Sequence, residues 1–133
     1  MNTRIEKIEQ YLRKKLNSEA TGHDYFHALR VAKISLNISE HVGGNKEIIY
    51  VAALVHDLID HKLFEDIDKE TNMLYSKLYE SQFDMFEVDS IFEIINNISY
   101  SKGKVANTLE GKIVQDADRL DALGAIGIAR TFA

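Results

Sequence analysis

Residues 46–60 read KEIIYVAALVHDLID, and this stretch decides the fold of the chain. Residues 48–55 form an uninterrupted apolar run, which predicts a central helix that is buried on most of its sides. This run of eight residues is far shorter than the ~20 that a membrane span needs. The helix follows a turn signal at residues 43–45 and leads directly into the ionisable pair His56-Asp57.

Helical periodicity continues on both sides of this segment. Apolar residues recur at three- and four-residue steps, strand-like alternation is absent, and the chain contains no proline. Polar stretches at 60–68 and 99–108 predict loops. We expect a single all-α domain over residues 1–133, a helical bundle, with further helices at 5–16, 24–41, 69–82, 84–98 and 109–133.

The composition excludes several classes of protein. Of the 133 residues, 45% are hydrophobic and 28% are charged, which is enough for a folded core. Sixteen Lys and Arg against 21 Asp and Glu give a net charge of −5, which disfavours a duplex nucleic acid as partner. Cysteine is absent, which excludes disulfides, thiol nucleophiles and zinc–thiolate sites. The N-terminal residues lack an apolar signal-peptide core, so we expect a soluble, cytoplasmic protein with no membrane partner. The sequence does not indicate the oligomeric state.

Histidines and carboxylates cluster in three segments: GHDYFHALRV at 22–31, HDLID at 56–60 and DADRLD at 116–121. In the first segment His23 and His27 are four residues apart, so they share one face of a helix. The second segment follows the buried run directly. These clusters are the candidate sites for chemistry.

The last segment contains three aspartates that helical geometry separates. At ~100° per residue, Asp118 and Asp121 lie on nearly the same side of a helix, whereas Asp116 points away from Asp118. A purely structural interpretation stays open here, because Arg119 among these aspartates can form an exposed ion-pair network. Similar structural interpretations apply to His41 and His61 as satisfied core histidines, to Asp24 as a helix cap, and to Gly124 and Gly127 as close helix-packing positions.

A structural interpretation is least satisfactory for His56-Asp57. An ionisable pair at the end of the most hydrophobic helix is costly unless its lost hydration is compensated. A bound divalent cation compensates an imidazole and a carboxylate together. The ordered series of His, His-Asp and Asp, each on a separate predicted helix, is also more specific than any single pair.

This series resembles the HD-domain superfamily of metal-dependent phosphohydrolases, in particular its bacterial single-domain members. The resemblance is carried by GHDxxHxxRV, AALxHDxxD and QDADRLDAxGAIGIAR, and it spans residues 22–130. It implies an all-helical bundle in which a metal ion is held by His27, His56, Asp57 and Asp118. It also implies that Asp60 occupies the place of an acidic residue close to the water molecule that the metal binds.

The chemistry of the residues agrees with this resemblance. Two imidazoles and two carboxylates leave open positions on an octahedral divalent ion, and this mixture favours Mn²⁺, Fe²⁺, Co²⁺ or Ni²⁺ over a still compatible Mg²⁺. The metal lowers the pKa of a bound water molecule, and Asp60 orients or deprotonates that water for attack on phosphorus. His23 and Arg30, on the His27 face, are placed to meet phosphate oxygens, with His23 in a catalytic role. We expect Asp121 to contact a sugar hydroxyl of the substrate or to support the metal ligands.

We therefore expect a phosphohydrolase that acts on a small phosphorylated molecule, most of all a nucleotide, as a nucleoside triphosphate pyrophosphohydrolase or a nucleotidase. The alternative is a non-catalytic module that binds metal and nucleotide for regulation, and an intact Asp60 argues against it. An apolar helical pattern still continues at the last residues, and similar bacterial proteins usually continue for several helices. We therefore expect the natural chain to have further C-terminal helices.

Overall fold

The computed structural model describes residues 3–17, 25–59, 66–98 and 106–132, with side chains at all of these positions except 17 and 124–132. Within these ranges the chain forms six α-helices, one 3₁₀ turn and no strand, which confirms the predicted all-α fold. The elements are α1 (Thr3–Asn17), α2 (Tyr25–Val42), α3 (Lys46–Val55), the 3₁₀ turn (His56–Ile59), α4 (Ile67–Glu80), α5 (Met85–Asn97) and α6 (Leu109–Phe132).

Helix α3 lies at the centre of the bundle, as its apolar sequence predicts. Every residue from Ile48 to Val55 is buried, and the helix packs against α1, α2, α5 and α6. Its first turn is capped by Asn45, whose side-chain oxygen accepts a hydrogen bond from the Ile48 N–H at 3.2 Å. Because α3 is enclosed on all sides, the residue that follows it, His56, emerges inside the bundle and not at its surface.

The helix boundaries around the predicted loop at 60–68 differ from the expectation. Helix α4 begins at Ile67, inside that predicted loop, because Asp66 acts as its N-cap and accepts a hydrogen bond from the Lys69 N–H at 3.0 Å. Asp68, in the first helical turn, is also favourable there because helix N-termini attract negative charge. At residues 66–68, polar side chains that predict a loop therefore start a helix. Residues 60–65 and 99–105 lie outside the described residues.

The described residues test several of the structural interpretations above. The expectation of a core position for His41 is wrong, because His41 is exposed in the last turn of α2. Asp24 and His61 lie outside the described residues, and the side chains around Gly124 and Gly127 do as well. None of the helices in the described ranges combines the length and apolar composition that a bilayer span requires.

Helices α2 and α6 pack against each other and against α3, and this arrangement positions the candidate site. The first turn of α2, the 3₁₀ turn after α3 and the middle of α6 meet at one place in the bundle. Each of the three segments brings one of the ionisable clusters that the sequence contains.

Candidate metal centre

Three separate elements bring imidazoles and carboxylates together. His27 comes from the first turn of α2, His56 and Asp57 from the 3₁₀ turn, and Asp118 from the middle of α6. One potential ligand atom each of His27, His56 and Asp118 lies within 4.8 Å of the other two. The centroids of the two imidazole rings are 6.0 Å apart. The series of His, His-Asp and Asp in the sequence therefore forms one cluster in space.

His56 is oriented by the backbone of the helix that precedes it. Its Nδ1 lies 2.6 Å from the carbonyl oxygen of Ala53, so Nδ1–H is assigned as the donor of that bond. Its Nε2 is buried, 3.2 Å from the carboxylate of Asp57 and 3.5 Å from that of Asp118, and within the part of the chain that the structure describes it has no hydrogen-bond partner. With Nδ1 committed to the backbone, the Nε2 lone pair faces two carboxylates, which is unfavourable unless a cation lies between them.

His27 is held between two carboxylates that belong to the same helix. Its Nδ1 lies 2.8 Å from Asp121, and its Nε2 lies 3.3 Å from Asp118. The carboxylate of Asp57 approaches the same Nε2 at 3.6 Å. The imidazoles of His27 and His56 thus both direct Nε2 toward the shared carboxylates of Asp57 and Asp118.

The electrostatics of the cluster favour positive charge at its centre. Burial alone lowers the pKa of His56, but the charges of Asp57 and Asp118 outweigh burial and raise the pKa to about 9. The hydrogen bond to Asp118 likewise raises the pKa of His27, against its burial and with help from Asp121. Although burial opposes it, pairing with both imidazoles lowers the pKa of the Asp118 carboxyl. The cluster stabilises a cation at the Nε2 atoms, whether that cation is a proton or a metal ion.

The donor set fits a divalent transition-metal ion. Imidazole nitrogens and carboxylate oxygens suit Mn²⁺, Fe²⁺, Co²⁺ and Ni²⁺, and the two carboxylates carry the charge that neutralises such an ion. A metal ion would also satisfy the buried Nε2 of His56, to which no described residue is hydrogen-bonded. Metal-binding histidines commonly donate their second ring N–H to a carbonyl or a carboxylate, as His56 does to Ala53 and His27 to Asp121.

The remaining predicted site residues have different positions. Asp121 bonds to His27 and also accepts hydrogen bonds from Arg30, whose side chain is 55% exposed. Asp116, the alternative to Asp118, is 63% exposed and lies 3.8 Å from Arg119. The expected ion pair on the outside of α6 is therefore present, but it does not include the inward-facing aspartates. His23 and Asp60 lie outside the described residues.

Two contacts were not predicted from the sequence. The Ala53 carbonyl that orients His56 belongs to the last turn of α3, where helix carbonyls have no intrahelical partner, so helix geometry could have suggested it. The hydrogen bond between His27 and Asp121 joins residues 94 positions apart, and no local pattern signals such a pairing.

The fold is an all-α bundle, and its candidate site brings together two histidines and two aspartates from three elements. These features are typical of helical proteins with a site suited to a divalent metal. Residues 24–123 match the model of the HD domain, and the chain belongs to this family. It is similar to the uncharacterised protein YpgQ of Bacillus subtilis, with 40% identity over 131 residues, 96% of this chain and 64% of YpgQ. The chain therefore spans less than two thirds of the length of that relative.

Solved structures of similar proteins have the same fold. A crystal structure of an HD-superfamily hydrolase from Bacillus thuringiensis superposes with a TM-score of 0.76 at 43% identity, over 97% of this chain and 63% of that protein. The crystal structure of YpgQ in complex with ADP superposes with a TM-score of 0.76 at 37% identity, over 98% of this chain and 66% of YpgQ. The resemblance to the HD-domain superfamily drawn from the sequence is thus confirmed.

Proposed function

We propose that this protein is a divalent-metal-dependent phosphohydrolase that acts on a small phosphorylated substrate. The metal ligands are His27, His56, Asp57 and Asp118. The observation that carries the proposal is the buried Nε2 of His56, which faces two carboxylates and has no hydrogen-bond partner among the described residues. The similarity to an HD-superfamily hydrolase supports hydrolysis as the reaction.

The substrate in this proposal is a nucleotide, cleaved by a nucleoside triphosphate pyrophosphohydrolase or a nucleotidase activity. The similarity to YpgQ, which has been crystallised in complex with ADP, supports a nucleotide as the ligand. A divalent cation in the site would act as a Lewis acid and lower the pKa of a coordinated water molecule. The phosphate oxygens of a nucleotide would be suitable ligands for coordination positions that two imidazoles and two carboxylates would leave free on such a cation.

The protein's own residues have three tasks in this reaction. His27 and His56 present neutral nitrogens, while Asp57 and Asp118 supply the negative charge that holds the cation. The low pKa of Asp118 keeps its carboxyl ionised at neutral pH, against the burial that opposes its charge. Asp60 orients the attacking water or accepts its proton. The catalytic roles of Asp60 and His23 are predictions from the sequence.

The first experiment compares metal content and turnover in matched histidine variants. Purified wild type should contain one tightly bound divalent metal and release phosphate or pyrophosphate from at least one member of a nucleotide panel. His56→Ala should lose both properties, whereas His41→Ala, which changes an exposed histidine of α2, should retain them. A full equivalent of metal in His56→Ala contradicts the proposed site. Metal and ADP binding without release of phosphate or pyrophosphate from any nucleotide favours a regulatory module over an enzyme.

The second experiment separates metal binding from catalysis at Asp60. Because loss of a positioned general base costs about 10²–10⁴-fold in rate, Asp60→Asn should keep its metal and lose activity on that scale. Asp57→Asn should lose the metal as well. The measurements are metal content and kcat on the best nucleotide found. Activity of Asp60→Asn within a few-fold of wild type excludes a catalytic role, and loss of its metal places Asp60 among the ligands.

A further inference from the structure

Both ring nitrogens of His27 contact side chains of α6. Nε2 lies 3.3 Å from Asp118, and Nδ1 lies 2.8 Å from Asp121. These aspartates are three residues apart, so both face α2 from adjacent positions on one side of α6. The two contacts are not equivalent, because Asp118 also approaches His56 at 3.5 Å, whereas Asp121 contacts His27 from the side away from the cluster.

Asp121 is in turn held by Arg30, one turn after His27 on α2. The Arg30 Nε donates to Oδ1 of Asp121 at 2.9 Å, and a terminal nitrogen donates to Oδ2 at 3.3 Å. This two-point contact fixes both oxygens of the carboxylate, and Oδ2 also accepts the hydrogen bond of the His27 Nδ1–H. Only 12% of the Asp121 side chain is exposed, although Arg30 itself is 55% exposed. The three side chains form a continuous chain of contacts from the surface to the metal ligands.

We infer that Arg30 and Asp121 form a positioning pair that fixes the ring of His27 with Nε2 directed at the metal. The inference rests on the proposed function, because it assigns His27 as a metal ligand. Asp121 determines which ring nitrogen carries the proton, and Arg30 determines where the Asp121 carboxylate lies. Without this carboxylate the imidazole can rotate or present the protonated nitrogen to the cluster, and either change removes a ligand.

This role differs from the phosphate contact that the sequence suggests for Arg30, and for Asp121 it selects support of the metal ligands over a sugar contact. The Nε and one terminal nitrogen of Arg30 are directed at Asp121, and a carboxylate at that position repels a phosphate group. A positioning pair affects metal affinity in the absence of any nucleotide. A phosphate-binding arginine instead affects the KM for the nucleotide and leaves metal affinity unchanged. The two roles are therefore separable by measurement.

The experiment is a Mn²⁺ titration of the metal-free protein, without nucleotide, on Arg30→Met, Asp121→Ala and the double variant. Loss of a carboxylate that orients a metal-binding histidine typically costs about 10–100-fold in metal affinity, and we expect Asp121→Ala to fall in this range. Arg30→Met should also weaken Mn²⁺ binding. In the Asp121→Ala background the same Arg30 change should have no further effect, because Arg30 acts through Asp121.

Two further variants distinguish the positioning of His27 from a general disturbance of the structure of α6. Asp121→Asn keeps an oxygen acceptor for the Nδ1–H of His27 but loses the charge, so its Mn²⁺ affinity should lie between those of wild type and Asp121→Ala. Asp116→Ala, at an exposed position of the same helix, should bind Mn²⁺ as wild type does. The visible absorption spectrum of the Co²⁺ protein gives a second measure, because it changes when the His27 nitrogen leaves the coordination sphere.

The outcomes distinguish this inference from the proposed function. Unchanged Mn²⁺ affinity in Asp121→Ala overturns the positioning pair and leaves the proposed function intact. A raised KM with unchanged Mn²⁺ affinity in Arg30→Met overturns it in favour of phosphate binding. A wild type that binds Mn²⁺ through Asp121-dependent positioning but hydrolyses no nucleotide supports the pair and contradicts the proposed function. Wild type that binds no Mn²⁺ at all refutes both.

Discussion

Replacement of Asp118 by asparagine is the most informative single change at the site, because a matched control lies two residues away. Asp118→Asn keeps the size of the side chain and removes the charge that approaches both imidazoles, at 3.3 Å from His27 and 3.5 Å from His56. Asp116→Asn makes the same chemical change on the same helix, at a side chain that is 63% exposed. The two variants separate a proposed metal ligand from a surface aspartate.

The expected size of the effect follows from the ligand positions. The proposed ligands His27, His56 and Asp118 come from three elements that are far apart in the chain, so the unfolded chain has no assembled site. Mn²⁺ at 100 times its Kd then stabilises the folded state by about 2.7 kcal/mol. At about 3–5 °C per kcal/mol for a domain of this size, the Tm of wild type rises by roughly 10 °C. In the metal-free protein Asp118→Asn should also lower the free energy of unfolding by about 1–3 kcal/mol, because the asparagine cannot pair with the two imidazoles as the carboxylate does.

The assay is thermal unfolding followed by circular dichroism, with and without Mn²⁺, on wild type and both variants. Wild type and Asp116→Asn should show the full rise in Tm, and Asp118→Asn should show little or none. The metal-free Tm of Asp118→Asn should also be lower than that of Asp116→Asn. A full Mn²⁺-induced rise in Asp118→Asn, combined with its loss in Asp116→Asn, refutes the assignment and makes Asp116 the ligand.

Two further predictions concern the scaffold that carries the site. Gly43 and Gly44 both have φ of +94°, so alanine at either position strains the backbone at about 1–3 kcal/mol. A Cβ at Gly44 would also lie 2.9 Å from Cδ1 of Ile49, whereas a Cβ at Gly43 would have no atom of the described residues within 4 Å. Gly44→Ala should therefore lower the urea midpoint more than Gly43→Ala, and equal midpoints contradict this. Arg4 holds the pKa of the Glu87 carboxyl below its ordinary value of 4.5, so this pair stabilises the fold above pH 4.5 and loses its effect as the pH falls below that value. In urea unfolding, wild type should be about 1 kcal/mol more stable than Arg4→Met near pH 7, and this difference in stability should be smaller near pH 3. A difference in stability that does not depend on pH contradicts the ion pair.

Most of the helical framework could be predicted because its signals are local. The apolar run at 48–55 becomes the buried helix α3, and the predicted helix at 84–98 appears as α5, with Asp84 and Glu87 as reciprocal caps. The boundaries of α4 were less accurate, because the same residue types form loops and start helices. Its end at Glu80 precedes the predicted end at 82 because Gln82 adopts a positive φ of 73°, for which glycine is the usual sequence signal.

The candidate site could be predicted as a set of residues but not as a network. The resemblance to HD-domain proteins, together with the order of the residues, pointed to His27, His56, Asp57 and Asp118, and the structure brings these four side chains together. Which partner each ring nitrogen has depends on how α2 and α6 pack, and a single sequence contains no direct record of that packing. Residue type suggests a phosphate contact for Arg30, and for Asp121 either a sugar contact or support of the metal ligands; it does not indicate that Arg30 contacts Asp121 or that Asp121 contacts His27. Their assignment depends on contacts across the bundle and not on residue type.

The segment DADRLD shows how one short sequence gives its aspartates different tasks. The side chains of Asp116, Asp118 and Asp121 are 63%, 24% and 12% exposed, an order that follows from their angular positions on α6. Asp116 faces solvent beside Arg119, Asp118 reaches both imidazoles, and Asp121 supports the far nitrogen of His27. A shift of α6 by one residue would turn Asp118 and Asp121 away from α2 together. The contacts of His27 therefore depend on how α6 packs against α2. Any change that disturbs this packing is expected to weaken the proposed metal site.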